Sequence, residues 1–225
     1  MMKTLIIIPA HNEQANIEKT VQDVRSSLEE FDYLIINDCS SDQTADILDR
    51  NHFSHVDLPI NLGLSGAVQT GYKYAYEHGY DCAVQFDGDG QHQAKYIRTM
   101  IKEIENGNDI VIGSRFVTEK KDHSLRMIGS RILSNLIFFR TGKSIKDPTS
   151  GMRMLNRKML FDYAYNMNRQ PEPDTLVYQL HKNKVKIKEV QVEMNKRDGG
   201  TSMYNSLWSS TKYMASMIIS ILFLS

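Results

Sequence analysis

The stretch "TLIIIPAHNEQANIEKTVQDVRSSLEEFDYLIIND", residues 4–38, contains one complete strand–helix–strand unit. Its two ends, residues 4–8 and 32–38, are apolar runs that predict buried β-strands. Between them, apolar residues recur at the spacing of one helix face, namely Ile17, Val21, Val24 and Leu28. Two strands joined by one helix predict a βαβ unit with parallel strands.

The same alternation continues to residue 115. Further strands are predicted at residues 54–60, 81–86 and 109–115, and helices are predicted between them, the last one closed by Gly107. Regular alternation of strands and helices is typical of an α/β fold with a mostly parallel sheet flanked by helices. In such a sheet, ligands bind beyond the carboxyl ends of the strands.

Beyond residue 115 the alternation is looser. A helix is predicted over residues 127–142, a second one begins at the acidic segment "PEPD" (171–174), and a half-exposed strand is predicted over residues 184–194. We therefore expect one domain over residues 1–202, with a nucleotide-binding half (1–115) and an acceptor-side half (116–202). Residues 203–225 are expected to form a separate apolar tail.

Composition restricts the class of protein. The chain has 225 residues, 41% of them apolar and 24% charged, which is ordinary for a soluble globular domain. The net charge is zero, which argues against a nucleic-acid partner, but the charge is uneven. Residues 1–50 carry ten acidic and four basic side chains, whereas residues 115–158 carry eleven basic and three acidic ones. The two cysteines, Cys39 and Cys82, form no spacing motif and fit a cytosolic, reducing compartment.

The C-terminal segment, residues 206–225, has a single charged side chain, Lys212. Its strongly apolar part is about 12 residues long, short of the roughly 20 residues that a membrane-spanning helix needs. This apolar composition predicts that the segment contacts a membrane surface or a small membrane protein. Packing in the core or against a second copy of the chain in a homo-oligomer is the alternative.

The turn "QFDGDGQH", residues 85–92, places Asp87 and Asp89 one residue apart, directly after an apolar strand. Two close carboxylates repel each other unless a cation lies between them, and Mg²⁺ or Mn²⁺ prefers such oxygen ligands. An EF-hand calcium loop is excluded, because its sixth and twelfth positions would be His92 and Arg98. The alternative is a turn whose acidic residues only cap the following helix.

With these residues in view, the sequence resembles a family-2 glycosyltransferase of the GT-A fold. It is similar to the branch that contains dolichyl-phosphate mannose synthases and other polyprenyl-linked sugar transferases. The resemblance covers roughly residues 3–205 and lies in seven ordered segments: "IIIPAHNE", "INDCSSDQT", "NLGLSGAVQTG", "FDGDGQH", "GSR", "DPTSGMR" and "RDGGTS".

The resemblance implies a role for each matching residue. The residues implied in nucleotide binding are Pro9, Ala10, Asn12, Glu13, Asp38, Gly63, Ser65 and Asp87. The implied metal ligands for Mg²⁺ or Mn²⁺ are Asp87, Asp89 and Gln91. The residues implied in phosphate or acceptor binding are Arg115, Arg131, Ser150, Arg153, Arg197 and Ser202.

Two positions depart from the family pattern. Asn37 replaces the first acid of the nucleotide segment, and Asn135 lies where the pattern places a serine four residues after Arg131. For a general base, the resemblance points to Asp174, with Glu172 two positions earlier. Acidic residues after a proline at a helix start also stabilise the helix without any chemistry.

These features favour a metal-dependent inverting glycosyltransferase that uses a UDP- or GDP-sugar at the cytosolic membrane face. A hydroxyl on a lipid-linked glycan is the favoured acceptor, because it gives the acidic segment a task as general base. The first alternative is a polyprenyl phosphate acceptor, which Arg131 and the "RDGGTS" loop favour. The second is a non-catalytic scaffold that recruits a membrane partner through the tail.

Overall fold

A computed structural model describes residues 2–119, 121, 125–166, 174–182, 184–195 and 207–223 of the chain. In these ranges the strands are β1 (Thr4–Ala10), β2 (Asp32–Asn37), β3 (His55–Asp57), β4 (Cys82–Gln85), β5 (Ile110–Ser114), β6 (Arg153–Asn156) and β7 (Ile187–Gln191). The helices are α1 (Ile17–Ser27), α2 (Thr44–Arg50), α3 (Gly63–Glu77), α4 (Ile97–Glu105), α5 (Leu125–Thr141), α6 (Arg157–Tyr165), α7 (Asp174–Lys182) and α8 (Leu207–Phe223). A 3₁₀ turn, Ala94–Tyr96, precedes α4.

The strands form one sheet in the order β3-β2-β1-β4-β6-β5-β7. All neighbouring strands are parallel except β6, which runs antiparallel to both β4 and β5. The mostly parallel sheet predicted from the sequence is therefore confirmed. The chain reverses its direction of winding between β1 and β4, and this switch point is where an open α/β sheet forms its ligand crevice.

The sheet is covered on both faces, which explains why β1 is apolar along its whole length. Alternate residues of β1 contribute to two separate apolar clusters: Ile6 and Ile8 face the layer of α1, α2 and α4, whereas Leu5 and Ile7 face α3 and α5–α8. Each of these side chains is fully buried, and burying one isoleucine side chain contributes about 1.5–3 kcal/mol.

Helix α3 lies unusually close to β1 at Gly71. A Cβ atom at this position would collide with the side chain of Ile7. The close approach fixes the height of α3 above the sheet, and with it the position of the loop that enters α3 near Gly63, whose φ is +73°. A glycine is needed at residue 63 because other residues rarely adopt that backbone angle.

Helix α6 was not predicted from the sequence. Its N-cap, Asn156, accepts a hydrogen bond from the backbone N–H of Met159 at 3.0 Å, and this cap is the signal that identifies the helix start. Helix α8 contacts α5 and α7, and its residues Met217 and Ile221 are buried in the apolar cluster around α3. Within the described ranges, none of the helices has both the length and the apolar character needed to cross a membrane.

Candidate active site

The ends of β1, β2 and β4 meet at one edge of the sheet, and their polar residues surround the switch point. The backbone N–H of Asp38 donates to the carbonyl of Ala10 at 2.8 Å, which joins the ends of β2 and β1. The Oδ1 atom of Asp38 accepts a 2.7 Å hydrogen bond from the backbone N–H of Leu62. Asp38 is only 3% exposed, so its carboxylate fixes the loop before α3 beside Ala10.

The predicted nucleotide residues Asn12 and Glu13 organise the same edge. Asn12 has a φ of +56°, and its Oδ1 accepts a hydrogen bond from the backbone N–H of Ser41 at 2.8 Å. The Glu13 carboxylate accepts one from the side chain of Asn16 at 2.9 Å. Pro9 and Ala10 belong to β1, whereas Gly63 and Ser65 belong to the first turn of α3. These predicted nucleotide residues therefore lie at the end of β1, in the loop that follows it and at the start of α3.

Asn37, one of the two departures from the family pattern, forms a side-chain hydrogen bond with the neighbouring strand. Its Nδ2 atom donates to Oδ1 of Asp57 on the neighbouring strand β3 at 2.7 Å, and its Oδ1 accepts from the backbone N–H of Ser40 at 3.3 Å. A carboxylate is thus present within hydrogen-bond distance of residue 37, although it is supplied by β3.

The acidic turn begins at the end of β4, where Asp87 has two side-chain neighbours. Gln85 donates from Nε2 to Oδ1 of Asp87 at 2.8 Å. The backbone N–H of Asp87 donates to Nδ1 of His92 at 3.1 Å, which leaves the imidazole proton on Nε2. That Nε2 atom lies 3.7 Å from Oδ2 of Asp87, and the His92 side chain is 1% exposed. His92 therefore lies beneath the turn.

Further along the turn, Oδ1 of Asp89 accepts a 3.1 Å hydrogen bond from the backbone N–H of Gln91. The carbonyl of Gln91 accepts from the backbone N–H of Asn195 at 2.8 Å, which ties the turn to the segment after β7. Gly88 approaches β1 so closely that a Cβ atom there would lie 3.0 Å from the carbonyl oxygen of Pro9. The turn is held against the end of β1.

The donor set of this turn suits a hard divalent cation. Asp87 and Asp89 offer carboxylate oxygens and Gln91 an amide oxygen, and Mg²⁺ is usually bound by one or two carboxylates together with substrate phosphates. The Asp87 side chain is 29% exposed and open to a ligand on that side. Among the residues that the structure describes, no group of three or more His, Cys, Asp and Glu side chains is arranged to hold a metal ion.

On the other side of the crevice, Arg115 directly follows β5 and forms an ion pair with Asp147. Its Nε and one terminal nitrogen donate to the two carboxylate oxygens at 2.8 Å each. Asp147 is completely buried, and burial alone would raise the pKa of its carboxyl group. The hydrogen bonds and positive charge of Arg115 outweigh burial and hold that pKa below its usual value. Two of the nitrogens of Arg115 are therefore directed at Asp147.

Lys121 is a basic residue of this region that the sequence did not single out. Its ammonium donates to the hydroxyl of Ser130 at 2.7 Å and to that of Ser134 at 3.2 Å, both on α5. Arg131 donates to the carbonyl of Lys121 at 2.6 Å. Lys121 and Arg131 thus lie together against α5; we call the four residues Lys121, Ser130, Arg131 and Ser134 the α5 basic cluster.

Electrostatics connect this cluster to the Arg115–Asp147 pair. Burial lowers the pKa of Lys121, the carboxylates of Asp147 and Glu189 oppose that effect, and the charges of Arg115 and Arg131 add to it. The positive charges of Lys121, Arg115 and Arg131 are thus close enough to repel each other. An anionic ligand bound among them would relieve this repulsion.

A serine with the spacing of the family pattern is present five residues before Asn135, at Ser130. The family pattern has a serine four residues after an arginine, and Arg126 and Ser130 have this spacing in the sequence. Ser130 is buried and bonded to Lys121, whereas Asn135 is exposed. The side chain of Arg126 lies outside the described residues.

Ser150 and Arg153 occupy interior positions. Ser150 is 5% exposed and its hydroxyl donates to the carbonyl of Gly113 at 2.5 Å. Arg153 is 1% exposed and donates to the carbonyls of Ser150 and Pro148 at 2.9 and 2.5 Å. Both residues hold the turn before β6, and their direct contact with phosphate stays a prediction.

Several predicted residues lie outside the described part of the chain. They are Glu172, Arg197 and Ser202. Asp174 is the first residue of α7, but its side chain is also outside the described part. Their roles stay predictions.

The comparison with protein families gives one match. The model described as "Glycosyl transferase family 2" matches residues 5–163, from within β1 to within α6, and so includes the acidic turn. The chain belongs to glycosyltransferase family 2. The expected family and the expected class of enzyme are confirmed.

Curated relatives of this family-2 glycosyltransferase carry names that specify lipid phosphates. The polyprenol monophosphomannose synthase of Mycolicibacterium smegmatis is 31% identical over 169 residues, 70% of this chain and 63% of that protein. The undecaprenyl-phosphate mannosyltransferase of Micrococcus luteus is 33% identical over 121 residues, 52% of this chain and 49% of that protein. The chain thus spans less than two thirds of either relative. A UDP-N-acetylglucosamine–dolichyl-phosphate N-acetylglucosaminyltransferase of Methanococcus voltae is 31% identical over 215 residues, with 84% of both chains covered.

Among solved structures, glucosyl-3-phosphoglycerate synthase from Mycobacterium tuberculosis, crystallised with Mn²⁺, UDP and phosphoglyceric acid, matches with a TM-score of 0.72. The match covers 100% of this chain and 80% of that one at 12% identity. At that identity the likeness concerns the fold alone, and it confirms the expected GT-A-type fold.

Proposed function

We propose that this family-2 glycosyltransferase moves a sugar from a nucleoside diphosphate donor to a polyprenyl phosphate at a membrane surface. The observation that carries the proposal is the pairing of two sites on one edge of the sheet. The acidic turn with Asp87 and Asp89 lies at the switch point, and the α5 basic cluster lies beyond the end of β5.

The acceptor is proposed as a phosphate because of the basic side chains around Lys121 and Arg131. Arginine and lysine stabilise phosphate oxygens by charge-assisted hydrogen bonds. The names of the relatives, which specify polyprenol, undecaprenyl or dolichyl phosphate, support the same choice. This choice reverses the preference for a hydroxyl acceptor drawn from the acidic segment at residues 171–174. A phosphate anion is already nucleophilic and needs no general base, so Asp174 has no required task in this reaction.

In the proposed reaction, a phosphate oxygen of the acceptor attacks the anomeric carbon of the donor sugar. The bond between that carbon and the diphosphate oxygen breaks, the configuration inverts, and the nucleoside diphosphate leaves. Asp38 and Asn12 hold the loops that enclose the nucleoside, and the α5 basic cluster orients the attacking phosphate. Asp87, Asp89 and Gln91 would hold Mg²⁺ or Mn²⁺, which when bound supplies charge stabilisation for the leaving diphosphate.

Contact with the lipid surface is proposed for the outer faces of α5 and α8. Ile128, Ile132 and Phe139 on α5 are 43%, 43% and 81% exposed, and Ile219 on α8 is 55% exposed. Apolar side chains exposed on two neighbouring helices are typical of a surface that meets lipid or another protein. We place this surface at the cytosolic side of the membrane, where nucleotide sugars are made available to the enzyme.

A transfer assay tests the function. The protein is incubated with each of a panel of labelled UDP- and GDP-sugars and with Mn²⁺. The acceptor, in detergent or vesicles, is undecaprenyl phosphate or, in a separate reaction, a lipid-linked glycan. The proposal predicts a labelled lipid product that mild acid hydrolyses, and a loss of at least tenfold in rate for Arg131→Ala. Transfer to a lipid-linked glycan hydroxyl with none to undecaprenyl phosphate would favour the hydroxyl alternative and return Asp174 to the role of base.

A further inference from the structure

The carboxylate of Asp87 is held by side chains that do not belong to the two-aspartate motif. Gln85 lies two residues earlier in β4, and the residue is 4% exposed. Its Nε2 donates to Oδ1 of Asp87 at 2.8 Å. A buried amide costs free energy unless it forms hydrogen bonds, and here it directs one of them at the carboxylate. The contact therefore restricts the rotation of the Asp87 side chain.

Close packing surrounds the other carboxylate oxygen. Gly151, in the turn before β6, lies so close to Asp87 that a Cβ atom there would lie 3.1 Å from its Cγ and nearer still to its Oδ2. Arg153, which pairs with Gln85 in the antiparallel register of β4 and β6, fixes this turn through the carbonyls of Ser150 and Pro148. Gln85 thus donates to one carboxylate oxygen, while the other lies 3.7 Å from Nε2 of His92 and in the space that a side chain at residue 151 would occupy.

This arrangement leaves the carboxylate able to bind a cation. An ionised carboxylate has about four acceptor positions, and the hydrogen bond from Gln85 takes one of them. A metal ligand whose orientation is fixed before the metal arrives loses less conformational entropy on binding, and partners behind a ligand commonly affect metal affinity by about 10- to 100-fold.

We propose that Gln85 is a positioning residue, which orients Asp87 for the divalent cation and the donor diphosphate. The inference rests on the proposed function, because it requires the cation site at Asp87. The competing explanation is that Gln85 only satisfies a buried polar position and contributes stability alone.

The test uses Gln85→Met, which keeps the length of the side chain and removes its hydrogen-bond donors. The matched control is Gln179→Met. Gln179 is 2% exposed and donates its amide to the carboxylate of Asp162, so it has the same chemistry in the packing between α7 and α6. Binding of Mn²⁺ is followed by electron paramagnetic resonance in the presence of UDP or GDP, and nucleotide affinity is measured by calorimetry with and without Mn²⁺. The unfolding midpoint is recorded for each variant.

We expect Gln85→Met to weaken Mn²⁺ binding by about 10-fold or more while nucleotide affinity without metal stays unchanged. Gln179→Met should change the unfolding midpoint and leave Mn²⁺ binding as in the wild type. If the wild type binds Mn²⁺ and Gln85→Met binds it equally well, the inference is overturned, whereas the proposed function stands. A wild-type protein that binds no Mn²⁺–nucleotide complex overturns the proposed function and this inference with it.

Should Gln85→Met fail to fold, Gly151→Ala provides the second variant. Its methyl group pushes against the Asp87 carboxylate without removing any hydrogen-bond donor. The inference predicts the same loss of Mn²⁺ affinity with nucleotide affinity retained in the absence of metal. Wild-type Mn²⁺ affinity in Gly151→Ala contradicts it.

Discussion

The guanidinium of Arg115 donates one 2.8 Å hydrogen bond to each carboxylate oxygen of Asp147, a residue that is entirely buried. The backbone N–H of Arg115 donates to the same carboxylate at 3.1 Å. Asp147 thereby fixes both the main chain and the side chain of the residue that follows β5. This pair supports the side of the crevice where the α5 basic cluster lies.

Removing the carboxylate tests this support. Asp147→Asn leaves the largely buried Arg115 without its counter-charge, and we expect the free energy of unfolding to fall by about 3 kcal/mol. Urea unfolding measures the loss. The control is Glu193→Gln, which removes the exposed ion pair between Glu193 and Lys95 and should change stability little. Equal effects of the two substitutions would contradict the account.

The same pair makes a prediction about pH. Arg115 holds the pKa of Asp147 below its usual value in the folded protein, whereas the unfolded chain has a pKa of about 3.9. The stabilisation is therefore complete above the unfolded pKa and is lost as the pH falls through the folded pKa. We expect the stability difference between wild type and Asp147→Asn to be constant above about pH 5 and to shrink below about pH 4. Urea unfolding over this range checks it, and a difference that stays constant down to pH 2.5 would argue against the ion pair.

Gly71→Ala tests the close contact of α3 and β1. Alanine normally stabilises a helix interior relative to glycine by about 1 kcal/mol, but here its methyl group would collide with Ile7. We expect a net destabilisation of about 1–3 kcal/mol, because the collision involves the Cγ and Cβ atoms nearest the backbone of Ile7. Gly129→Ala on α5 is the control, because its methyl group meets only the flexible side chain of Met214. If Gly71→Ala proves as stable as Gly129→Ala, the packing described here is wrong.

Phe139→Ser tests the proposed lipid surface. Phe139 is 81% exposed on α5, so its replacement should cost little stability while weakening sedimentation with anionic lipid vesicles several-fold. The control is Tyr96→Ser, since Tyr96 packs on the opposite face of the sheet, in the layer of α4. Unchanged vesicle binding by Phe139→Ser, or equal loss in both variants, would exclude this face as the membrane contact.

Much of the first half of the molecule follows from the sequence, because β1, β2, β4 and β5 contain apolar runs and the helices between the strands have a regular apolar period. Helix α6 was not predicted, because its apolar pattern is short and the sign of its start is the N-cap Asn156. The acidic turn was found because two carboxylates one residue apart, directly after an apolar strand, repel each other unless a cation lies between them. The contacts of Gln85 and Lys121 could not be found in this way. Gln85 is only two residues from Asp87, but burial directs its amide at that carboxylate, and burial follows from the fold. Lys121 depends on the hydroxyl of Ser130, which the fold brings near.

The measurement that tests the central claim most directly is calorimetric titration with UDP and with GDP, each with and without Mn²⁺, on wild type and Asp89→Asn. The account predicts that Mn²⁺ strengthens the binding of one nucleotide to the wild type, and that Asp89→Asn loses this strengthening while retaining the metal-independent part. Failure of the wild type to bind either nucleotide under any of these conditions would contradict the assignment of the acidic turn to a donor site.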